Sequence, residues 1–147
     1  MGWEQVFGLA NMAAMLGWVV LIAAPRRVWW LAVLPRMVIP MGLAVVYSGL
    51  MLGYFVQSGG GFGSIVQVRT LFASDPVLVG GWVHYLAFDL LIGCFVAERL
   101  DRVGIHRIIQ APVLFLVFMF GPMGMLLGLL TEAAATWRGT TSVKLGA

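Results

Sequence analysis

The stretch GWVHYLAFDLLIGCFVA, residues 81–97, decides the fold class of this 147-residue chain. It is apolar almost throughout, yet it carries one acid, Asp89, near its centre. A membrane helix needs about 17–25 mainly apolar residues to cross a hydrocarbon layer about 30 Å thick. The stretch therefore predicts a transmembrane helix with a carboxyl group deep inside it.

The composition of the whole chain excludes an ordinary soluble domain. Hydrophobic residues make up 61% of it and charged residues 10%, whereas soluble domains carry about 25% charged residues. The length allows one domain, so we expect residues 1–147 to form a single membrane domain in a lipid bilayer. The net charge is +3, and the nine Lys and Arg residues lie scattered between apolar runs, which argues against a nucleic-acid partner.

Three further apolar runs accompany the first. The four predicted spans are residues 6–24, 40–56, 81–97 and 112–131. They predict an all-α integral membrane protein: a four-transmembrane-helix bundle with a long outer loop, residues 57–80, between helices 2 and 3. This loop opens with glycines that no strand precedes, so we expect no nucleotide there. Residues 28–39 contain two tryptophans and have the composition of an interfacial segment.

The positive charges predict an orientation. An even number of spans places both termini on one side of the membrane. The two loops on the other side carry six of the nine cations: Arg26, Arg27, Arg36, Arg99, Arg102 and Arg107. Because cytoplasmic loops are enriched in Lys and Arg, we expect both termini to be non-cytoplasmic.

Asp89 and His84 are polar residues at a depth where a carboxylate costs about 2.5–3.5 kcal/mol. Asp89 must therefore be protonated, or paired with a cation, a metal or several hydrogen-bond donors. Five residues turn a helix by about 140°, so His84 and Asp89 do not share a face. The two predicted stripes are Trp82, Tyr85 and Asp89 on one side, and His84, Phe88, Phe95 and Glu98 on the other.

These polar residues have a structural and a functional interpretation. In the structural one, Asp89, His84 and Asn11 form hydrogen bonds between helices, each contributing about 0.6 kcal/mol. We favour the structural interpretation for Asn11. Its side chain is expected inside the bundle, where it can also donate a hydrogen bond to a ligand. For His84 and Asp89 we favour catalysis, because a serine or asparagine would fasten helices at lower cost than an acid at mid-depth.

A metal site is a second hypothesis. His84, Asp89, Glu98, Asp101 and His106 are ligand types that suit non-heme iron or another divalent metal. Their spacing matches no fixed motif, and a solvated helix end with a Glu98–Arg102 pair explains the charged part equally well. We expect no heme, because the two histidines of the chain lie at different depths.

The dipeptide Gly121-Pro122 interrupts the fourth span near its middle. Proline breaks the helical hydrogen-bond ladder, and broken helices at mid-membrane often mark binding sites. A plain proline kink is the alternative. Phe118 and Met119 precede the break, and aromatic and thioether side chains can line a groove for a long planar apolar ligand.

The string 81–90, GWVHYLAFDL, resembles the abscisic-acid-deficient-four-like family of membrane proteins, whose plant members are associated with neoxanthin synthesis from violaxanthin. Further stretches of the resemblance follow in order along the chain: FGLAN at 7–11, GFGS at 61–64, LF at 71–72, GIH at 104–106 and FGPMG at 120–124. The positions matching the family pattern are Trp82, His84, Asp89, His106 and Asn11.

The resemblance implies a four-helix membrane protein that acts on carotenoids. We expect no plant-type transit peptide, and the chain looks like a bacterial-type member, which implies the bacterial inner membrane. Some bacterial relatives are thought to cleave β-carotene to retinal. A unit of this size is also expected to be able to form homo-oligomers, although no surface for this is indicated.

Several functions stay open. The favoured one is oxidative cleavage of β-carotene to a retinal-type apocarotenoid, with oxygen activated by a metal on His84, Asp89 and His106 with Glu98 or Asp101. The alternative is isomerisation of a carotenoid epoxide of the neoxanthin-synthase type, with Asp89 as general acid and His84 as proton acceptor. Non-catalytic carotenoid binding or assembly is the next, and a proton-coupled transporter with Asp89 as relay is the weakest.

Overall fold

The computed structural model describes residues 2–145, with side chains described for residues 2–137, and this part of the chain is helical without strands. A π-helical turn, Leu34–Val38, joins α2 to α3, and a short 3-10 turn, Val56–Ser58, follows α3. The helices are α1 (Trp3–Ala23), α2 (Trp29–Val33), α3 (Ile39–Tyr54), α4 (Ile65–Phe72), α5 (Asp75–Arg102) and α6 (Arg107–Leu145).

Four helical stretches are long and apolar enough to cross a membrane: Trp3–Ala23, Trp29–Tyr54, Asp75–Arg102 and Arg107–Trp137. Residues 28–39, predicted as an interfacial segment, are mostly helical and continue into α3. Proline inside a helix removes one backbone hydrogen bond. The π turn absorbs Pro35, because the Ile39 amide reaches back to the Leu34 carbonyl.

The segment 57–80, predicted as a long outer loop, is largely helical as well. It contains α4 and the first turns of α5. The Ser64 hydroxyl caps α4 by accepting a hydrogen bond from the Gln67 amide at 3.2 Å. Leu71 is fully buried, whereas Ile65 and Val66 are exposed. α4 is thus a short helix that covers one end of α3 and α5 and turns an apolar side outward.

α5 is the central helix, against which α1, α3 and α6 pack. α1 runs parallel to it, since Phe7 lies beside Trp82 and Gly17 beside Leu90. α3 runs the other way. Arg36, just before α3, pairs with Glu98 near the end of α5. Tyr54, the last residue of α3, contacts Trp3 at the start of α1.

α6 folds back on itself instead of running straight. Phe120 (φ −143°, ψ 42°) and Gly121 (φ 6°, ψ −79°) are not helical. A Cβ at Gly128 would lie 3.4 Å from Cγ1 of Val113, although fifteen residues of straight helix would separate them by about 22 Å. Gly124 lies directly against the Val117 backbone. We call residues 107–119 the first limb and residues 122–145 the second limb.

The tip of this hairpin lies halfway along α5. Gly121 contacts Asp89, whereas Gln110 of the first limb bonds to Asp101 and Glu132 of the second limb pairs with Arg99. Both limbs therefore run from the tip toward the C-terminal end of α5. The described part of α6 covers only that half of α5, so the predicted fourth span, 112–131, reaches the middle of α5 and folds back.

The reversal follows from the chemistry of Gly121-Pro122. Proline excludes the preceding residue from the helical region and has no amide hydrogen. It fits the first position of a new helix, where that hydrogen would have no partner within the helix. A glycine before it gives the chain room to reverse, so two half-length limbs replace one through-going helix.

Candidate functional site

Asp89 lies at mid-depth on α5 and is 6% exposed. Its Oδ1 lies against Gly121 so closely that a Cβ at that position would collide with it. Its Oδ2 is buried and has no hydrogen-bond partner among the described residues. A buried carboxyl group with an unpaired oxygen is costly. Such a group is a candidate for chemistry with a ligand.

The stripe predicted around Asp89 is present on one face of α5. The Tyr85 side chain, one helical turn earlier, comes within electrostatic range of the Asp89 carboxyl group. The Trp82 ring lies 5.3 Å from that of Tyr85, centroid to centroid. The Trp82 Nε1–H donates a hydrogen bond to Asn11 Oδ1 at 2.9 Å. Asn11 therefore accepts a hydrogen bond between α1 and α5 and fixes the orientation of the indole.

A cavity of about 300 Å³ opens beside this stripe, between α1, α5 and the hairpin tip. Phe118 and Met119 close it from the first limb. Trp18 contributes one wall and holds Phe118 at 5.5 Å between ring centroids. The residues lining the cavity are Asn11, Ala14, Met15, Trp18, Trp82, Tyr85, Leu86, Asp89, Phe118 and Met119.

A second cavity lies nearer the start of α5. It has a volume of about 490 Å³, shares Trp82 as a lining residue with the first, and reaches Glu4 and Asp75. From Asp75 to Asp89 the helix rises by about 21 Å. A straight fourth helix could cover this face, but α6 turns back at Gly121. The result is a groove that is apolar along its length and acidic at both ends.

His84 and Phe88 lie on another face of α5, away from this groove. The His84 imidazole packs against Phe88 at 4.4 Å and against Tyr47 of α3 at 5.2 Å, measured between ring centroids. It lines a separate cavity. The structure therefore separates the two residues that were predicted to act together, His84 and Asp89. Pro122, also a predicted ligand contact, is exposed at the hairpin tip.

The five predicted metal ligands are dispersed. Glu98 pairs with Arg36 at 2.6 Å, and Asp101 pairs with Arg26 at 2.5 Å. His106 is exposed, and its Nδ1 accepts a hydrogen bond from the backbone amide of Ile108 at 3.4 Å. Among residues 2–137, no three His, Cys, Asp or Glu side chains form a group that could hold a metal ion. The metal site stays a prediction, and these five residues lie in different surroundings in the structure.

A polar cluster at the C-terminal end of α5 was missed by the sequence analysis, which treated its arginines only as orientation charges. Arg26 donates to Asp101 and, at 2.8 Å, to Gln110, whose side chain is 1% exposed. Arg107 donates to carbonyl groups at the end of α1, the closest being that of Ala24 at 2.7 Å. The signal available in the sequence was Gln110, a lone amide next to an apolar run. The cluster fixes the ends of the helices that form the groove.

Comparison with known proteins places the chain in a family. The ABA4-like family, described as ABA DEFICIENT 4-like, matches residues 5–127. No curated protein and no solved structure matches the chain. The matched range includes the stripe around Asp89 on α5 and the hairpin tip. Since it covers most of the chain, the protein belongs to the ABA DEFICIENT 4-like family.

Proposed function

We propose that this protein is a membrane-embedded, carotenoid-modifying enzyme and that Asp89 is its catalytic group. The observation that carries the proposal is a buried carboxyl oxygen without a partner, at the closed end of a groove open to lipid. The groove suits a long apolar molecule, because its walls are aromatic and aliphatic and its polar groups are few. The family resemblance supplies the substrate class.

The reaction that fits a carboxylic acid with a tyrosine beside it is isomerisation of an oxygenated end ring. Protonated Asp89 donates its proton to the oxygen of a ring epoxide, and the electrons of the breaking C–O bond stay on that oxygen as a hydroxyl group. The cation left on the ring loses a proton from the neighbouring chain carbon. The electrons of that C–H bond form a new double bond, and the Asp89 carboxylate takes the proton. No oxidant is consumed.

His84, predicted as the proton acceptor of this reaction, faces another cavity. We therefore assign both proton steps to Asp89, with Tyr85 beside it. Trp82, Phe118 and Met119 hold the ring and exclude water from the carboxyl group.

Oxidative cleavage of β-carotene to retinal suits this groove less well. β-Carotene has no oxygen for Asp89 to protonate, and the reaction needs an activated form of dioxygen. The residues that were expected to hold a metal for that purpose are engaged in ion pairs or lie apart. We assign no step of cleavage to these residues.

The test is expression in cells that accumulate either an epoxide-bearing carotenoid or β-carotene. We expect a product of unchanged mass and shifted absorption from the epoxide, and unchanged β-carotene. Asp89→Asn should accumulate in the membrane and retain pigment, because asparagine has the same shape, but it should form less than a hundredth of the product. Bleached β-carotene with retinal would overturn the proposal, and so would full product formation by Asp89→Asn.

We also infer an orientation from the folded-back α6. The described ends of both limbs lie at the same end of α5 as the cation-rich segments around Arg26 and Arg102. The positive-inside rule makes this end cytoplasmic. The start of α1 is then outside and the second limb ends inside, in contrast to the expectation from four full spans that both termini share one side.

A further inference from the structure

His84 lines a cavity of about 350 Å³ that is distinct from the Asp89 groove. The body of α5 separates the two, with Val83, Ala87 and Leu90 buried between them. The cavity lies between α3, α4 and α5. The side chains around it are Tyr47, Met51, Phe62, Leu71, Phe72, Val77 and His84, with Gly81 on the α5 backbone.

The cavity walls are aromatic. Phe72 of α4 covers it because Gly81 has no side chain; a Cβ there would lie 2.5 Å from the Phe72 ring. Phe62 stacks on Phe55 at 5.5 Å between centroids and covers it from the turn before α4. α4 therefore covers this cavity, which opens at the side of the bundle.

His84 supplies the polar group of this cavity. Its imidazole packs against the rings of Tyr47 and Phe88. No described residue forms a hydrogen bond with either imidazole nitrogen. The imidazole is exposed at the side of the bundle, and polar residues within membrane helices usually serve a ligand or another helix.

We propose that this cavity is a second ligand-binding site for a six-membered apolar ring that carries an oxygen function. The ring would lie among Tyr47, Phe72 and Phe62, with its oxygen hydrogen-bonded to His84. The volume is at the lower end of the range for small-molecule pockets and suits one ring. Because His84 is exposed at the side of the bundle, the hydrocarbon chain of the ligand would extend into lipid.

Two kinds of membrane molecule have this chemistry, a hydroxylated carotenoid and an alkyl benzoquinone. The chain contains two histidines, so ¹⁵N-histidine labelling in lipid nanodiscs yields few signals, and His106→Gln assigns them. Each probe is added separately. We expect a saturable shift of the His84 signals with one probe and no shift of the His106 signals. The probe that shifts the His84 signals shows whether the bound ring belongs to a carotenoid or to a benzoquinone.

Two variants test the geometry by the amount of probe retained per nanodisc. His84→Phe keeps the ring stack but loses the hydrogen bond, and should weaken binding about three- to tenfold. Met51→Trp fills the cavity and should abolish binding. Met12→Ala, at an exposed position of α1 that lines neither cavity, is the control and should bind as the wild type does.

The proposal is overturned if neither probe shifts the His84 signals, or if either variant binds as tightly as the wild type. It does not depend on the reaction at Asp89. An inactive protein that still shows the His84 shift would refute the proposed function alone, and an active protein without the shift would refute the second site alone.

Discussion

Asp89 Oδ1 lies against Gly121, at the point where α6 reverses direction. One contact therefore joins the acid at mid-depth to the turn that leaves half of α5 uncovered. If α6 continued straight, it could cover the groove. The acid, the glycine and the open groove are parts of one arrangement.

The first prediction concerns this contact. In Gly121→Ala the new methyl group overlaps with the Asp89 carboxyl group. Overpacking of this kind costs about 1–3 kcal/mol, so we expect a lower free energy of unfolding and less carotenoid product. Thermal unfolding in detergent and pigment analysis measure the two effects.

Gly42→Ala is the matched control, since a Cβ at Gly42 of α3 meets nothing within 4 Å. It should leave stability unchanged or raise it slightly, because alanine is the better helix former. Equal stability of the two variants would contradict the contact between Asp89 and Gly121.

Part of this arrangement could be predicted from the sequence. Helical periodicity placed Trp82, Tyr85 and Asp89 on one face of α5 and His84 on another, and the structure agrees. These are local properties of one helix. Hydropathy likewise indicated the apolar helices, because the length of an apolar run is enough for that inference.

The rest depends on contacts between distant segments. An apolar run of twenty residues has the same hydropathy whether it crosses the membrane or folds back at Gly121-Pro122. The surroundings of the predicted metal ligands also depend on such contacts. Glu98 and Asp101 have suitable carboxylates, but their partners Arg36 and Arg26 come from segments more than sixty residues away.

The second prediction concerns Gln110. Its side chain donates to Asp101 Oδ1 and to the Ile105 carbonyl, both at 2.7 Å, and it is almost fully buried. Gln110→Leu removes these bonds and also the acceptor that Gln110 offers to Arg26, which costs about 1–3 kcal/mol. Chemical unfolding in mixed micelles measures the loss.

Gln57→Leu serves as its control, because Gln57 is exposed and bonds only to the nearby Gly53 carbonyl. It should change the free energy of unfolding by less than about 0.5 kcal/mol. If Gln110→Leu is no worse than this control, the polar cluster does not stabilise the fold.

The third prediction tests the hairpin itself. Arg99 Nε and Glu132 Oε2 are 2.5 Å apart, which a straight α6 would not allow. Glu132→Arg should lower stability by about 1 kcal/mol through repulsion. The double variant Arg99→Glu, Glu132→Arg should recover most of the loss, and a double-mutant cycle measures this coupling. Additive effects of the two changes would mean that the second limb does not return to this end of α5.

The fourth prediction concerns which side of the membrane each end of the hairpin faces. The chain has one cysteine, Cys94, which is buried, so Cys94→Ala gives a background for labelling. In that background, Gly2→Cys should react with a membrane-impermeant thiol reagent added to intact cells. Arg27→Cys and Ala134→Cys should react only after the cells are opened, because Arg27 follows α1 at the cation-rich end and Ala134 follows Glu132 on the second limb.

The Arg27 position is the internal control for the cytoplasmic side. If Ala134→Cys is labelled together with Gly2→Cys, α6 crosses the membrane completely. The groove above Asp89 would then be covered by its second half.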